Sequence, residues 1–180
     1  MRLEPLELDH VEALAGVGLE SELWRWQPAA ITTVDEMRAY VLSALEQQRQ
    51  GTGLPFVIVE RASGRVIGST RYFEIAPAHR RLEIGATWLT SSHQRTGANT
   101  EAKLLLLTHA FETLRTLRVV FKTEALNERS RQAILRLGAV EEGTFRQHLL
   151  AASGRPRDMV YFAILEDEWP AVKAGLVLRL

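Results

Sequence analysis

No cysteine occurs among the 180 residues. That excludes disulfides, a cysteine nucleophile, thiolate-bound zinc and iron–sulfur clusters together. An excess of either charge is also missing. Twenty-two lysines and arginines face 22 aspartates and glutamates, for a formal net charge of +0. A general coat for nucleic acid needs surplus positive charge over phosphate, so that class is disfavoured, while a local basic patch stays open. The longest purely aliphatic stretch is Leu104 to Leu107, far short of the roughly 20 residues that span a bilayer. The start, Met1-Arg2-Leu3-Glu4-Pro5-Leu6, lacks the basic-then-apolar pattern of a secretory signal. The expectation is a soluble, cytoplasmic protein with neither membrane nor nucleic-acid partner. His10, His79, His93, His109 and His148 show no metal-ligand spacing, so no metal cofactor is expected. No Gly-x-Ser-x-Gly elbow is found.

What is present suits one globular domain over residues 1–180: 46% hydrophobic and 24% charged residues. Leu3 to Leu8 alternates and predicts a strand. Asp9 can cap a helix to about Leu19. Leu23 to Ala30, with Trp24, Trp26 and Pro28, reads as a loop. Thr33-Val34-Asp35-Glu36 is a capping box opening a helix to about Gln50. Strands are predicted over Leu54 to Glu60, Val66 to Ile75 and Arg81 to Leu89. Strict alternation on the last puts Leu82, Ile84, Ala86 and Trp88 on one face and Glu83, Gly85, Thr87 and Leu89 on the other. A polar turn, Ser91 to Asn99, leads into a helix from Thr100 to about Leu114. Val119 to Glu124 is a strand, and Asn127 caps a helix ending at Leu137 before Gly138. Thr144 to Leu150 and Met159 to Leu165 form a closing hairpin. The order predicts a mixed α/β domain, with a crossover helix joining two parallel strands.

The informative stretch is Gln94-Arg95-Thr96-Gly97-Ala98-Asn99-Thr100. A turn between a buried strand and a helix N-terminus exposes backbone N–H groups, and the helix dipole favours anions there. Gly97 allows close approach, and Arg95 and Lys103 add positive charge. A phosphate cradle is one reading; an ordinary turn capped by Asn99 is the other. Neither a Walker loop nor a Rossmann fingerprint fits the spacing.

Here the chain resembles the GNAT superfamily of acetyl-CoA-dependent N-acetyltransferases. Strand, Gln-x-x-Gly, helix, strand, Asn-x-x-Ser, helix, Gly is its order of parts. More closely, it is similar to the RimJ/RimL-type branch, the ribosomal-protein N-terminal acetyltransferases and their relatives. Leu3-Glu4-Pro5-Leu6, the run Glu83 to Leu89, Asn99 to Leu106, Asn127-Glu128-Arg129-Ser130 and Glu168-Trp169 carry the likeness. Asn99 stands where Gly or Ala is usual.

The resemblance implies a mixed sheet whose two parallel strands splay, flanked by helices. It implies acetyl-CoA as co-substrate. The pantetheine arm would lie along the backbone of Trp88, Leu89 and Thr90, and the pyrophosphate on Gln94, Arg95, Thr96, Gly97, Ala98, Asn99 and Thr100. Asn127 would bond the arm or simply cap its helix. Ser130 would donate to the departing thiolate or stand as a first-turn polar residue. Many relatives use a tyrosine as that acid, and Ile134 occupies its place here. Glu83 would be the general base, or a solvated edge carboxylate paired with Arg80 or Arg81. Trp24, Trp26 and His148 are candidates for the acceptor pocket. The implied acceptor is an amine, with a protein N-terminus first, a small amine second and a non-catalytic acyl-CoA-binding domain as a further alternative. A homodimer is common for this fold.

Overall fold

The computed structural model describes residues 1–27, 30–151 and 153–180. Pro28, and with it part of the expected loop, lies outside the described residues. Seven strands follow the β-branched and alternating runs: β1 Arg2–Pro5, β2 Gly53–Val59, β3 Val66–Ala76, β4 Arg81–Leu89, β5 Arg118–Glu124, β6 Val140–Leu150 and β7 Pro156–Leu165. Five helices cover them: α1 Val11–Gly18, α2 Val34–Arg49, α3 Ala98–Thr108, α4 Glu128–Arg136 and α5 Trp169–Val177. None of the described helices is long and apolar enough to cross a membrane.

The capping box forms as expected: Thr33 accepts from the Glu36 amide, and Glu36 reaches back to the Thr33 amide at 3.0 Å. Other boundaries differ. β1 stops at Pro5, and a tight turn over Leu8–His10 precedes α1. Ser21–Trp24 is a short 3-10 turn rather than plain loop. The closing hairpin is longer than the turn residues suggest, and α5 is an element that the alternation of the hairpin did not foreshadow.

The sheet order is β1-β2-β3-β4-β5-β7-β6, and only β4 and β5 run parallel. The helix between them, α3, makes that crossover, as predicted. α1 and α2 pack on one face around Leu14, Met37, Val41, Val57, Val59 and Trp88. α3, α4 and α5 pack on the other, around Tyr72, Ile84, Leu106, Phe121 and Phe162.

Strand β4 does not alternate strictly. Arg71 pairs with Gly85 and Ser69 with Trp88, so β4 spends one residue more than β3 over that span. Ala86 takes φ 46° at this bulge. The extra residue reverses the parity beyond it. Trp88 therefore joins the α1 and α2 face, not the face of Leu82 and Ile84, while Leu89 packs with Ala98 and Ala102 of α3. Glycines make room for this. A Cβ on Gly18 would lie 2.6 Å from the Trp88 ring, and one on Gly68 only 2.1 Å from the Trp88 carbonyl oxygen.

Candidate active site

The register between β4 and β5 holds for Arg81–Arg118, Leu82–Val119 and Glu83–Val120, then stops. β4 continues to Leu89 on β3, and β5 continues to Glu124 on β7. The two strands thus part company beyond Glu83 and Val120. Each carries an inner edge of peptide groups with no sheet partner beyond that point, and buried peptide groups demand partners. An extended chain carrying its own amides fits such a gap.

At the mouth of the gap the Gln94 side chain donates to the Leu89 carbonyl at 2.9 Å and accepts from Arg129 at 2.5 Å. Gln94 so ties the end of β4 to the first turn of α4. Arg129 is a basic residue of the mouth that the spacing argument did not single out. Helix α3 begins at Ala98, with Gly97 at its cap and no side-chain cap bond. Asn99 and Thr100 therefore lie in the first turn, and Asn99 is not the cap. Of the amides of that turn, Ala98 donates to Thr96 Oγ1 at 3.2 Å and Glu101 to the Gly97 carbonyl at 2.9 Å, while those of Asn99 and Thr100 are open. The left-handed residue of the loop is Arg95, at φ 62°, while Gly97 is helical. A Cβ on Gly97 would meet only Leu180, at 3.6 Å, so the position is open on its outer side. A cleft of about 600 Å³ lies there, lined by Thr96, Gly97 and Ala98 of the loop and by Glu60 and Glu101. Lys103, expected to add charge beside the loop, points away from it on α3. It is buried beneath the gap.

At the base of the gap stands Glu83. It is buried, and its Oε2 lies 2.8 Å from Lys122 Nζ. This corrects the solvated-edge alternative. Arg81 pairs with Glu74 at 3.4 Å, and Arg80 donates to the Arg115 carbonyl at 2.7 Å. Burial pushes the Glu83 carboxyl above its ordinary range, and Lys122 pulls it only part of the way back. Burial opposes the charge of Lys122, yet Glu83 and then Glu74 hold its pKa above the usual value. Gly85 is a neighbour of this carboxylate: a Cβ there would sit 2.9 Å from Glu83 Oε1.

Across the gap, Asn127 Oδ1 accepts from the Ser130 amide at 3.1 Å and so caps α4. Ser130 is half-buried. Ile134 packs in the core, and its place offers no acid. Of the acceptor-pocket candidates, Trp24 is corrected. It is 3% exposed, its indole donates to the Gly18 carbonyl at 2.7 Å, and its ring lies against Tyr40 and Trp88. Its apolar ring is worth more in the core than beside a wet site. Trp26 is half-buried, and its carbonyl accepts from Arg157, itself paired with buried Glu124 at 2.6 Å. His148 is exposed and meets the Tyr161 hydroxyl at 2.9 Å, with Phe145 beside both. Lys122, Glu124 and Arg157 escaped the sequence reading. For Lys122 and Glu124 the signal was two charges at alternate positions of an otherwise apolar strand, and Arg157 carried none of that kind.

The model of the acetyltransferase (GNAT) domain matches residues 1–140. The chain belongs to the GNAT acetyltransferase family. Among curated relatives, YdaF of Bacillus subtilis (strain 168), provisionally named a ribosomal N-acetyltransferase, is 34% identical over 110 residues. That stretch is 61% of this chain and 59% of YdaF. A structure from T. thermophilus, provisionally described as an acetyltransferase, is 38% identical with a TM-score of 0.89, covering 99% of this GNAT chain and 93% of its own. Mycobacterium smegmatis RimJ, solved in complex with CoA-disulfide, is 26% identical with a TM-score of 0.83, covering 98% and 87%. These likenesses agree with the RimJ/RimL-like branch of the GNAT family.

Proposed function

We propose that this GNAT protein transfers acetyl from acetyl-CoA to an N-terminal amine of a protein or peptide. The parting of β4 and β5 beyond Glu83 and Val120 carries the reading. The backbone over Trp88, Leu89 and Thr90 has no strand partner on the gap side, and although Gln94 holds the Leu89 carbonyl and Thr90 donates to Ile67, this edge can receive an extended arm bearing amides, strand to strand. The open first-turn amides of α3, with Arg95 and Arg129 near, suit a pyrophosphate. The relative solved with CoA-disulfide supports that choice of ligand. Acetyl-CoA supplies the activated acyl group.

The protein's own groups then do three things. The gap orients the acceptor nitrogen against the thioester, a contribution of position. Glu83, with its pKa raised by burial, takes a proton from the amine directly or through water. Lys122 steadies that carboxylate.

Two features favour a peptide acceptor over a small amine. Phe145 and His148 are exposed beside Tyr161 on the sheet face that Glu83 and Lys122 share. Arg157 ties the Trp26 carbonyl to that same face, and its guanidinium occupies buried Glu124, so that carboxylate is not free to receive a small cationic amine. The relatives' names point to ribosomal proteins. The test is thiol release from acetyl-CoA with a panel of peptides bearing free or blocked N-termini. Release with free N-termini is expected. Equal release with blocked peptides, or release only with small polyamines, overturns the acceptor assignment.

A further inference from the structure

Lys103 extends from α3 into the floor of the gap. The residue is 5% exposed. Its ammonium donates to Thr87 Oγ1 on β4, and that hydroxyl lies 2.8 Å from Thr70 Oγ1 on β3. On the other side Nζ stands 6.0 Å from the ring of Phe121, the residue of β5 just past the last paired Val120. The ammonium is therefore bonded to one diverging strand and faces an aromatic ring of the other.

Among the described residues no neighbouring charge pairs with it. β3 offers Thr70 and Tyr72, and the Tyr72 hydroxyl is spent on the Leu106 carbonyl at 2.7 Å. β4 offers Thr87, and β5 offers Phe121. Glu101, on the first turn of α3, is engaged with the Met1 amino group. An ammonium has three donors, and the bond to Thr87 uses one. A buried charge so poorly paired is costly, and a leucine or methionine would fill the space without that cost. The position makes sense if something in the gap needs a cation.

We propose that Lys103 is the group that meets the coenzyme's sulfur, carrying the departing thiolate and giving it a proton. This rests on the coenzyme reading above. An arm lying on the backbone of residues 88–90 and running from the loop toward Glu83 comes next to Thr87, whose hydroxyl Lys103 holds. As the amine nitrogen bonds to the carbonyl carbon, the carbon–sulfur bond breaks and its electron pair goes to sulfur. Lys103 Nζ gives sulfur a proton. The amine loses its proton to Glu83, which returns it to solvent, and solvent reprotonates Lys103. Burial alone brings the Lys103 pKa down to about 7. A thiol ordinarily titrates near ~8.5, and a cation beside it lowers that value, so the two groups come to comparable proton affinity and the proton passes to sulfur without a large uphill step. Lys103 thus supplies, from α3, the acid that Ile134 on α4 does not.

The test reads the coenzyme thiol itself and needs no acceptor. CoA is bound to the protein, and thiolate absorbance in the ultraviolet is followed against pH, while calorimetry reports binding separately. In the wild type, the thiol of bound CoA is expected to ionise about 1–3 pH units below that of free CoA, the usual effect of a cation at close range. In Lys103→Met the shift should vanish while CoA still binds. A bound thiol that titrates like free CoA in the wild type overturns the proposal even if the variant fails to fold. A shift that persists in Lys103→Met reduces Lys103 to a strut for Thr87 and overturns it equally. Failure of CoA to bind the wild type removes the coenzyme reading and the proposal with it.

Discussion

Glu83 Oε2 and Lys122 Nζ stand 2.8 Å apart where β4 and β5 begin to separate. The two residues lie on different strands, on the face opposite Ile84 and Phe121. Burial favours the neutral acid, and the ammonium favours the carboxylate. The balance leaves a carboxyl more basic than an exposed glutamate, at the closed end of a gap open at Gln94. A carboxylate on the surface would have a weaker claim to the role of base.

Glu83→Gln should lower turnover by about 10²–10⁴-fold, the usual contribution of a positioned base. Acetyl-CoA affinity should hold, because the coenzyme contacts lie further along β4 and on the loop. Steady-state rates and calorimetry on the same preparation separate the two. Near-wild-type turnover would return Glu83 to a structural ion pair.

The acidic limb of the kcat/KM profile should report Glu83 in the free enzyme. Activity is lost as pH falls through its raised pKa, since only the carboxylate can accept a proton. Lys122 pulls that pKa down. Lys122→Met should therefore move the limb to higher pH. A limb that stays in place, or moves to lower pH, contradicts the assignment.

Trp24→Ala and Trp26→Ala should behave differently. Trp24 is a core residue, and its removal should cost about 3–5 kcal/mol of stability. Trp26 is half-buried, so its truncation should cost little stability and raise KM for a peptide acceptor. Denaturant unfolding and kinetics on both variants check this. Equal stability losses would be the contrary result.

Gly97→Val should fold normally, because its Cβ meets open space apart from Leu180 at 3.6 Å. It should bind acetyl-CoA poorly if the first-turn amides of α3 hold the pyrophosphate. Asn127→Ala removes the cap on Ser130 and should cost about 1 kcal/mol of stability. Any loss of coenzyme affinity beyond that reveals a contact with the arm. Thermal shifts with and without acetyl-CoA measure both.

Burial holds Lys103 at about 7 in the native state, against 10.5 when exposed. Between those values the unfolded chain binds the extra proton and the native chain does not. Stability should therefore rise with pH across that window as far as this group is concerned. Lys103→Met should flatten that rise in unfolding free energy measured from pH 7 to 10. An unchanged slope would mean that the ammonium is better solvated than its surroundings indicate.

Much of this was written locally. The Thr33 to Glu36 box, the Asn127 cap and the alternation of Arg81 to Gly85 act over a few residues, and they formed as read. The crossover from β4 through α3 to β5 followed from handedness. The order of the Gln94, Gly97, Asn127 and Ser130 signals was enough for the family, because motif spacing is itself a property of the chain.

The rest depended on alignments between distant segments. Whether β4 bulges at Ala86 is decided by its register against β3 and by the room at Gly68, so the side of the sheet taken by Trp88 could not be read from alternation alone. The partner of Glu83 comes from β5, not from its neighbours Arg80 and Arg81, because parallel pairing brings Lys122 to its face. The same holds for Lys103, which read as a helix residue lending positive charge to the loop and proved to lie under the gap. Helix spacing determined which way it points along α3, but only the packing of α3 across two parting strands determined what it would meet. Local preferences reach three or four residues; burial, and the titration that follows from it, belongs to the assembled sheet.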